Sequence, residues 1–203
     1  MIALYVENES YIIDPPSMRD VELSFITSND HKYAEIKSRL ASTDVNVRHI
    51  KQSYPEIQAE TIRDVAAFSL TTLKSHLTTP FLIEDAGLEI NALEGFPGPY
   101  SSFVFKTIGW QGILDIMQGS TDRTARFVSI FGLSYNDDFH FIEGICEGRI
   151  SSEARGSGGF GFDPIFIPNG SDQTYAEMSE DNKNAISHRG RATTKLIEFF
   201  EQQ

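Results

Sequence analysis

Apolar and polar positions alternate with a clear change of period along this chain. Residues 21–27, VELSFIT, form an apolar run with the length and β-branched content of a buried strand, and Tyr33, Ile36 and Leu40 then recur at helical spacing. Val45 and Val47 alternate with polar neighbours as a second strand does, and Ile62, Val65, Ala66, Leu70, Leu73 and Leu77 mark one face of a longer helix. Residues 81–83 predict a third strand that ends in acid. Beyond it the pattern turns β-rich: Leu88, Ile90 and Ala92 alternate, and residues 125–135 and 139–150 read as antiparallel neighbours joined at Asn136-Asp137-Asp138. Trp110, Ile113, Leu114 and Met117 predict a short helix, and Ala192, Leu196, Phe199 and Phe200 a C-terminal one. The fold class is α/β with a mixed sheet flanked by helices.

Residues 1–20 stand apart. Tyr11-Ile12-Ile13 is followed by Pro15-Pro16, which interrupts any regular element, so this stretch is read as an extension of unknown role preceding one domain over residues 21–203. The whole length of 203 residues suits a single core. No internal repeat or low-complexity tract is visible.

Charge narrows the functional classes. Lys plus Arg number 17 against 29 Asp plus Glu, a formal charge of -12, which opposes loose binding to nucleic acid or an anionic membrane. A polyanionic substrate therefore needs a local basic pocket. The one cysteine, Cys146, has no internal disulfide partner. No apolar run is long enough to span a bilayer, and Glu7, Glu9 and Asp14 do not suit a signal peptide. A cytoplasmic location is expected.

Four tracts can carry chemistry. Thr27-Ser28-Asn29-Asp30-His31-Lys32 lies where a strand gives way to a helix, so its backbone amides and Lys32 can receive phosphate; equally, Ser28 or Asn29 can be a plain helix cap. It lacks the glycines of a Walker loop. In Ile83-Glu84-Asp85-Ala86-Gly87-Leu88 two acids sit at a strand end, where Mg²⁺ can be held by one or two carboxylates with waters and phosphate oxygens. Adjacent strand residues face opposite sides, so only one acid need meet a given ligand. Residues 156–164 combine glycines with Phe160 and Phe162, which can stack on a base, and with Asp163, which can accept hydrogen bonds. Lys183, His188 and Arg189 supply a basic cluster near a helix start, where a solvated face is the alternative. Residues 95–101, GFPGPYS, read as a fixed loop over a pocket.

Taken together and in order, TSNDHK, YPEIQAE, IEDAGLEINALEGFPGPYS, GSGGFGFDPIF, TYAEM and KNAISHRGRA resemble the inosine triphosphate pyrophosphatase family, the Ham1-like non-standard purine NTP pyrophosphatases, over residues 23–200. The resemblance implies an elongated mixed sheet with a central nucleotide-binding cleft, a homodimer, Mg²⁺ as cofactor, and hydrolysis of ITP, XTP and their deoxy forms to monophosphate and pyrophosphate. By the same resemblance Thr27 to Lys32 hold the triphosphate, with Asn29 and Lys32 on its oxygens. Asp85 is the implied metal ligand and base for the attacking water, and Glu60 the second metal carboxylate. Phe160, Gly161, Phe162 and Asp163 would frame the base, and Lys183, His188 and Arg189 complete the site. Ala86 departs from the Ser or Thr common in relatives, leaving only its backbone amide for substrate. A Lys that relatives carry in the helix after Glu60 has no counterpart, since its position falls near Phe68 and Lys74 lies well beyond. Ser102 stands near a position that is basic in some members. Broader NTP specificity, or a nucleotide-binding module without turnover, are the competing expectations.

Overall fold

A computed structural model describes residues 21–77 and 80–203; the proposed extension, residues 1–20, lies outside them. The described chain builds a six-stranded sheet in the order β2-β1-β3-β4-β5-β6. β1 (Val21–Ile26), α1 (Asp30–Leu40) and β2 (Val45–Ile50) form the expected strand, helix and parallel strand. α2 (Ile62–Lys74) then leads to β3 (Phe81–Ile90), which returns parallel to β1 on its other side. α2 stops at Lys74, so Leu77 lies past its end and packs beside Leu70 and Leu73 from the following turn.

The third strand is longer than its sequence suggests. It does not end at the acids but runs through Glu84 and Asp85 to Ile90, because β4 (Thr124–Tyr135) pairs with it from Phe81↔Ser134 to Ile90↔Ala125. Leu88 and Ile90 thus belong to β3, while Ala92 falls in a 3-10 turn over Asn91–Leu93. β1, by contrast, pairs with β3 only at Ser24↔Phe81 and Phe25↔Leu82. Beyond Leu82 one edge of β3 is therefore without a strand neighbour. The Glu84 carbonyl on that edge accepts instead from Lys32 Nζ at 3.0 Å and Tyr54 Oη at 3.1 Å. Side chains satisfy what a strand otherwise would, and a cleft opens there.

β4 and β5 (Asp138–Ile150) form the expected antiparallel hairpin. Its two-residue turn, Asn136 and Asp137, has φ of 49° and 67°, the left-handed pair that matches strand twist and that Asn and Asp tolerate best. β6 (Phe166–Pro168) closes the sheet. α3 (Ser101–Thr107) and α4 (Gly109–Ile116) cover the far end of β3, and α5 (Glu180–Ile186) precedes α6 (His188–Glu201).

Period-two alternation assigns the two faces. Leu23, Phe25, Leu82, Phe131 and Leu133 pack with Ile36 and Leu40 of α1 and Ala192, Leu196 and Phe200 of α6. Phe81 and Ile83 face α2 through Leu70 and Leu73. Extending the alternation, Glu84 points toward α1 and α6, and Asp85 toward the other side.

Candidate active site

The cleft along the open edge of β3 measures about 750 Å³ and is lined by Thr27, Ser28, Asn29, Asp30, His31, Lys32, Glu84, Asp85, Ala86, Phe160, Gly161, Phe162, Asp163, Lys183, His188 and Arg189. Four tracts far apart in sequence therefore meet in one place. Gln52, Ser53, Tyr54, Glu56, Ser102 and Lys106 complete its walls.

At one end α1 begins. Asn29 is its cap: the side-chain Oδ1 accepts from the amides of His31 at 2.9 Å and Lys32 at 3.2 Å, while the Asn29 amide donates to Thr27 Oγ1 at 3.1 Å. The amides expected to meet phosphate are thus held by the loop itself. Asp30 pairs with Lys51 at 2.6 Å on the surface and contributes no cation-facing group to the interior. His31 stacks on Phe160 with ring centroids 5.2 Å apart and planes 20° apart.

The floor is a buried ion network. Arg189 Nε donates to both Glu84 oxygens, at 2.8 and 2.9 Å, and its NH1 donates to Glu35. Lys183 Nζ donates to Glu35 and Asp163, each at 2.8 Å. Lys32 Nζ stands 3.7 Å from Glu84 Oε2, and Ser129 Oγ donates to Glu84 Oε1 at 2.7 Å. Burial alone would raise the Glu84 pKa, but Arg189 and Lys32 overcome it and hold the carboxyl at about 2. Asp163 moves the other way, because burial outweighs the Lys183 ammonium.

Several expectations change here. Lys183 and Arg189 are not free cations awaiting phosphate; each is neutralised by carboxylates that hold it in place. Asp163 lines the cleft, and its Oδ2 accepts from the Phe160 amide at 2.8 Å as well as from Lys183, and so pins the loop. A Cβ on Gly159, whose φ is +68°, would lie 2.0 Å from Asp163 Oδ2, which explains the glycine. Phe162 is 3% exposed and packs edge-on to Phe105 with Ile165 and Tyr175, whereas Phe160 is half-buried, with the Lys183 ammonium 4.8 Å from its ring centroid. His188 is buried against Phe127, with centroids 4.7 Å apart and planes at 12°; desolvation, then the neighbouring Arg189, pushes its pKa well below the usual value. Its Nδ1 has no protein partner.

Asp85 differs from every other carboxylate in the cleft. It is 9% exposed, and its Oδ2 is buried without a hydrogen-bond partner. Burial pushes its pKa up to about 7; Lys32 opposes the shift, while Glu56 and Glu84 add to it. Glu60, the expected second metal ligand, is exposed beside the Thr61 cap of α2 and does not line the cleft. Glu56 does. It lies in the irregular segment between β2 and α2, which is fastened by Tyr54 on the Glu84 carbonyl and by Ser69 Oγ donating to the Pro55 carbonyl at 3.0 Å. The sequence signal was present in YPEIQAE, but two acids four residues apart in an irregular segment cannot be ranked without the fold.

Asp85 and Glu56 suit a hard divalent cation. Among the described residues no group of three or more His, Cys, Asp or Glu side chains is gathered as a metal cage. Mg²⁺ needs none, since it keeps waters and takes phosphate oxygens beside one or two carboxylates. Glu35, on α1 in the floor, and Lys106, on α3, are further groups that the sequence pattern did not single out.

An α/β sheet whose cleft joins a helix-start loop, a poised carboxylate and an aromatic pocket defines a nucleotide-site class of protein. The sequence model of the Ham1 family matches residues 23–199, and the chain belongs to that family. It is 46% identical to the dITP/XTP pyrophosphatase of Pyrococcus horikoshii over 89% of this chain and 97% of that one, and 47% identical to that of Korarchaeum cryptofilum over 87% and 94%. The fold matches a HAM1 protein from Coxiella burnetii with a TM-score of 0.79 at 30% identity, covering 90% of this chain and 100% of that one. The Staphylococcus aureus Ham1 protein gives 0.76 at 27%, over 88% and 98%. No described helix is long and apolar enough to cross a membrane.

Proposed function

We propose that this protein hydrolyses dITP, ITP and XTP to the nucleoside monophosphate and pyrophosphate, with Mg²⁺ held by Asp85 and Glu56. The observation that carries the reading is the Asp85 carboxyl, buried, unpartnered at Oδ2 and poised near neutral pH in a cleft between a helix-start loop and an aromatic pocket. Relatives named dITP/XTP pyrophosphatase support the substrate class.

In this reading the triphosphate lies along Thr27 to Lys32 and the base reaches Phe160. Mg²⁺, when bound, supplies charge neutralisation to the phosphate chain. Asp85 orients the attacking water and accepts its proton; the water oxygen forms a bond to the α-phosphorus as the bond to the bridging oxygen breaks, and pyrophosphate leaves. General base catalysis of this kind contributes about 10²- to 10⁴-fold. Lys32 draws on the same leaving group. Ala86 contributes only its backbone amide. His188, which lines the cleft, can donate to the 6-oxo group of hypoxanthine or xanthine, whereas adenine offers a donor there and leaves that contact unmade. A second copy of the chain is the proposed partner: Phe96, Tyr100, Phe103, Ile108 and Ile116 are exposed on one consecutive stretch, with Phe103 at 68%. A cytoplasmic nucleotide pool is the setting, and the acidic charge of the chain disfavours nucleic acid.

A panel of dITP, ITP, XTP, ATP and GTP with Mg²⁺ tests the reading. Monophosphate and pyrophosphate form from the first three far faster than from ATP or GTP. Release of orthophosphate instead, or no release from any of them, refutes it.

A further inference from the structure

The cations lining the cleft are Lys32, Lys183, Arg189 and Lys106. Lys32 is held on Glu84, Lys183 on Glu35 and Asp163, and Arg189 on Glu84 and Glu35. Their positive charge is therefore already met by buried carboxylates. Asp85 and Glu56 add further negative charge, which the metal offsets. A triphosphate is strongly anionic, and cations already paired within the protein attract it less than an unpaired one does. Lys106 alone among these cations has no carboxylate or hydrogen-bond partner among the described residues, and it is exposed.

Its position is also set. Ser102 and Lys106 lie one turn apart on α3 and both line the cleft, so they share that face. α3 starts at Ser101, whose Oγ accepts from the Leu88 amide and donates to the Gly98 carbonyl, both at 2.8 Å. Gly87 permits this close approach, since a Cβ there would lie 2.2 Å from the Gly98 oxygen. The helix is thereby fastened to β3 three residues beyond Asp85. A flexible, unpaired ammonium on a fixed helix thus lines the same cleft as Asp85, Glu56 and the loop Thr27 to Lys32.

We infer that Lys106 is a specificity-determining residue that binds the pyrophosphate portion of the substrate and so favours a triphosphate over a shorter phosphate chain. This rests on the proposed hydrolysis. A lysine in the last turn of a helix also complements the helix dipole, and the test separates that role from binding. Lys106→Gln and Lys106→Arg are compared with wild type by titration calorimetry with inorganic pyrophosphate and with dIMP, each with Mg²⁺, and by steady-state kinetics on dITP and dIDP. In Lys106→Gln pyrophosphate binds about ten-fold more weakly, the scale of one charge-assisted contact. KM for dITP rises by about as much with little change in kcat, the pattern of lost uniform binding. dIMP affinity and Tm stay as in wild type, the defect shrinks as salt is raised, and Lys106→Arg restores binding. Unchanged pyrophosphate affinity, equal weakening of dIMP, or no pyrophosphate binding by wild type overturns the inference. Failure of wild type to hydrolyse dITP overturns the functional reading instead, and the pyrophosphate titration still reports on Lys106.

Discussion

Asp85→Asn is expected to abolish most turnover yet to make the metal-free protein more stable at alkaline pH. The wild-type carboxyl has its pKa raised from 3.8 to about 7, chiefly by burial. A raised pKa means that the folded state resists ionisation, so stability is fully present below the unfolded value and is lost as pH rises toward the folded one. At about 1.4 kcal/mol per unit, the full penalty above pH 7 is about 4 kcal/mol. Asparagine cannot ionise and escapes it. Its amide still needs partners in a site where Oδ2 has none, at a cost of about 1–3 kcal/mol that does not vary with pH. The pH dependence therefore isolates the electrostatic part. Urea unfolding in EDTA should show the advantage of the variant widening by about 2–3 kcal/mol between about pH 5 and pH 8.5. Added Mg²⁺ should stabilise wild type and leave the variant almost unchanged. Parallel pH profiles for the two proteins would refute both the buried ionisation and the role built on it.

Glu56→Gln should raise the Mg²⁺ concentration needed for half-maximal activity by at least about ten-fold, whereas Glu60→Gln should leave the Mg²⁺ titration in place; the reverse order restores Glu60 as the ligand. Arg189→Met strands Glu84 and Glu35 without their shared cation and should cost about 3–5 kcal/mol of stability, read as a lower urea midpoint; a loss within about 0.5 kcal/mol would show that the network is not structural. For Gly87→Ala, the clash with the Gly98 carbonyl should shift residues 95–101 and lower kcat as well as Tm, and a variant with wild-type kcat would show that the loop does not fix the site.

Much of this architecture was legible in the chain. Strands and helices announced themselves because a half-buried strand repeats at two residues and a half-buried helix at 3.6, and the Asn136-Asp137 turn carried its own conformational preference. The tracts that line the cleft were also readable, since glycine, aromatic and charged residues clustered there at the ends of elements. What local pattern could not convey was pairing across the fold. β3 looked finished at its acids because ionised groups seldom continue a buried strand, and only the partner cations Arg189 and Lys32, from helices remote in sequence, make Glu84 tolerable inside. The same nonlocal partners joined Lys183, Arg189 and Asp163 into a neutralised floor, and burial lowers the pKa of His188. Local pattern was enough for most of the long elements, the fold class and the family, but not for α3, α5, β6 or the length of β3. Only the tertiary structure shows that Glu56 rather than Glu60 lines the cleft with Asp85, and which cation is left unpaired, because charge and burial depend on neighbours that sequence order does not place together.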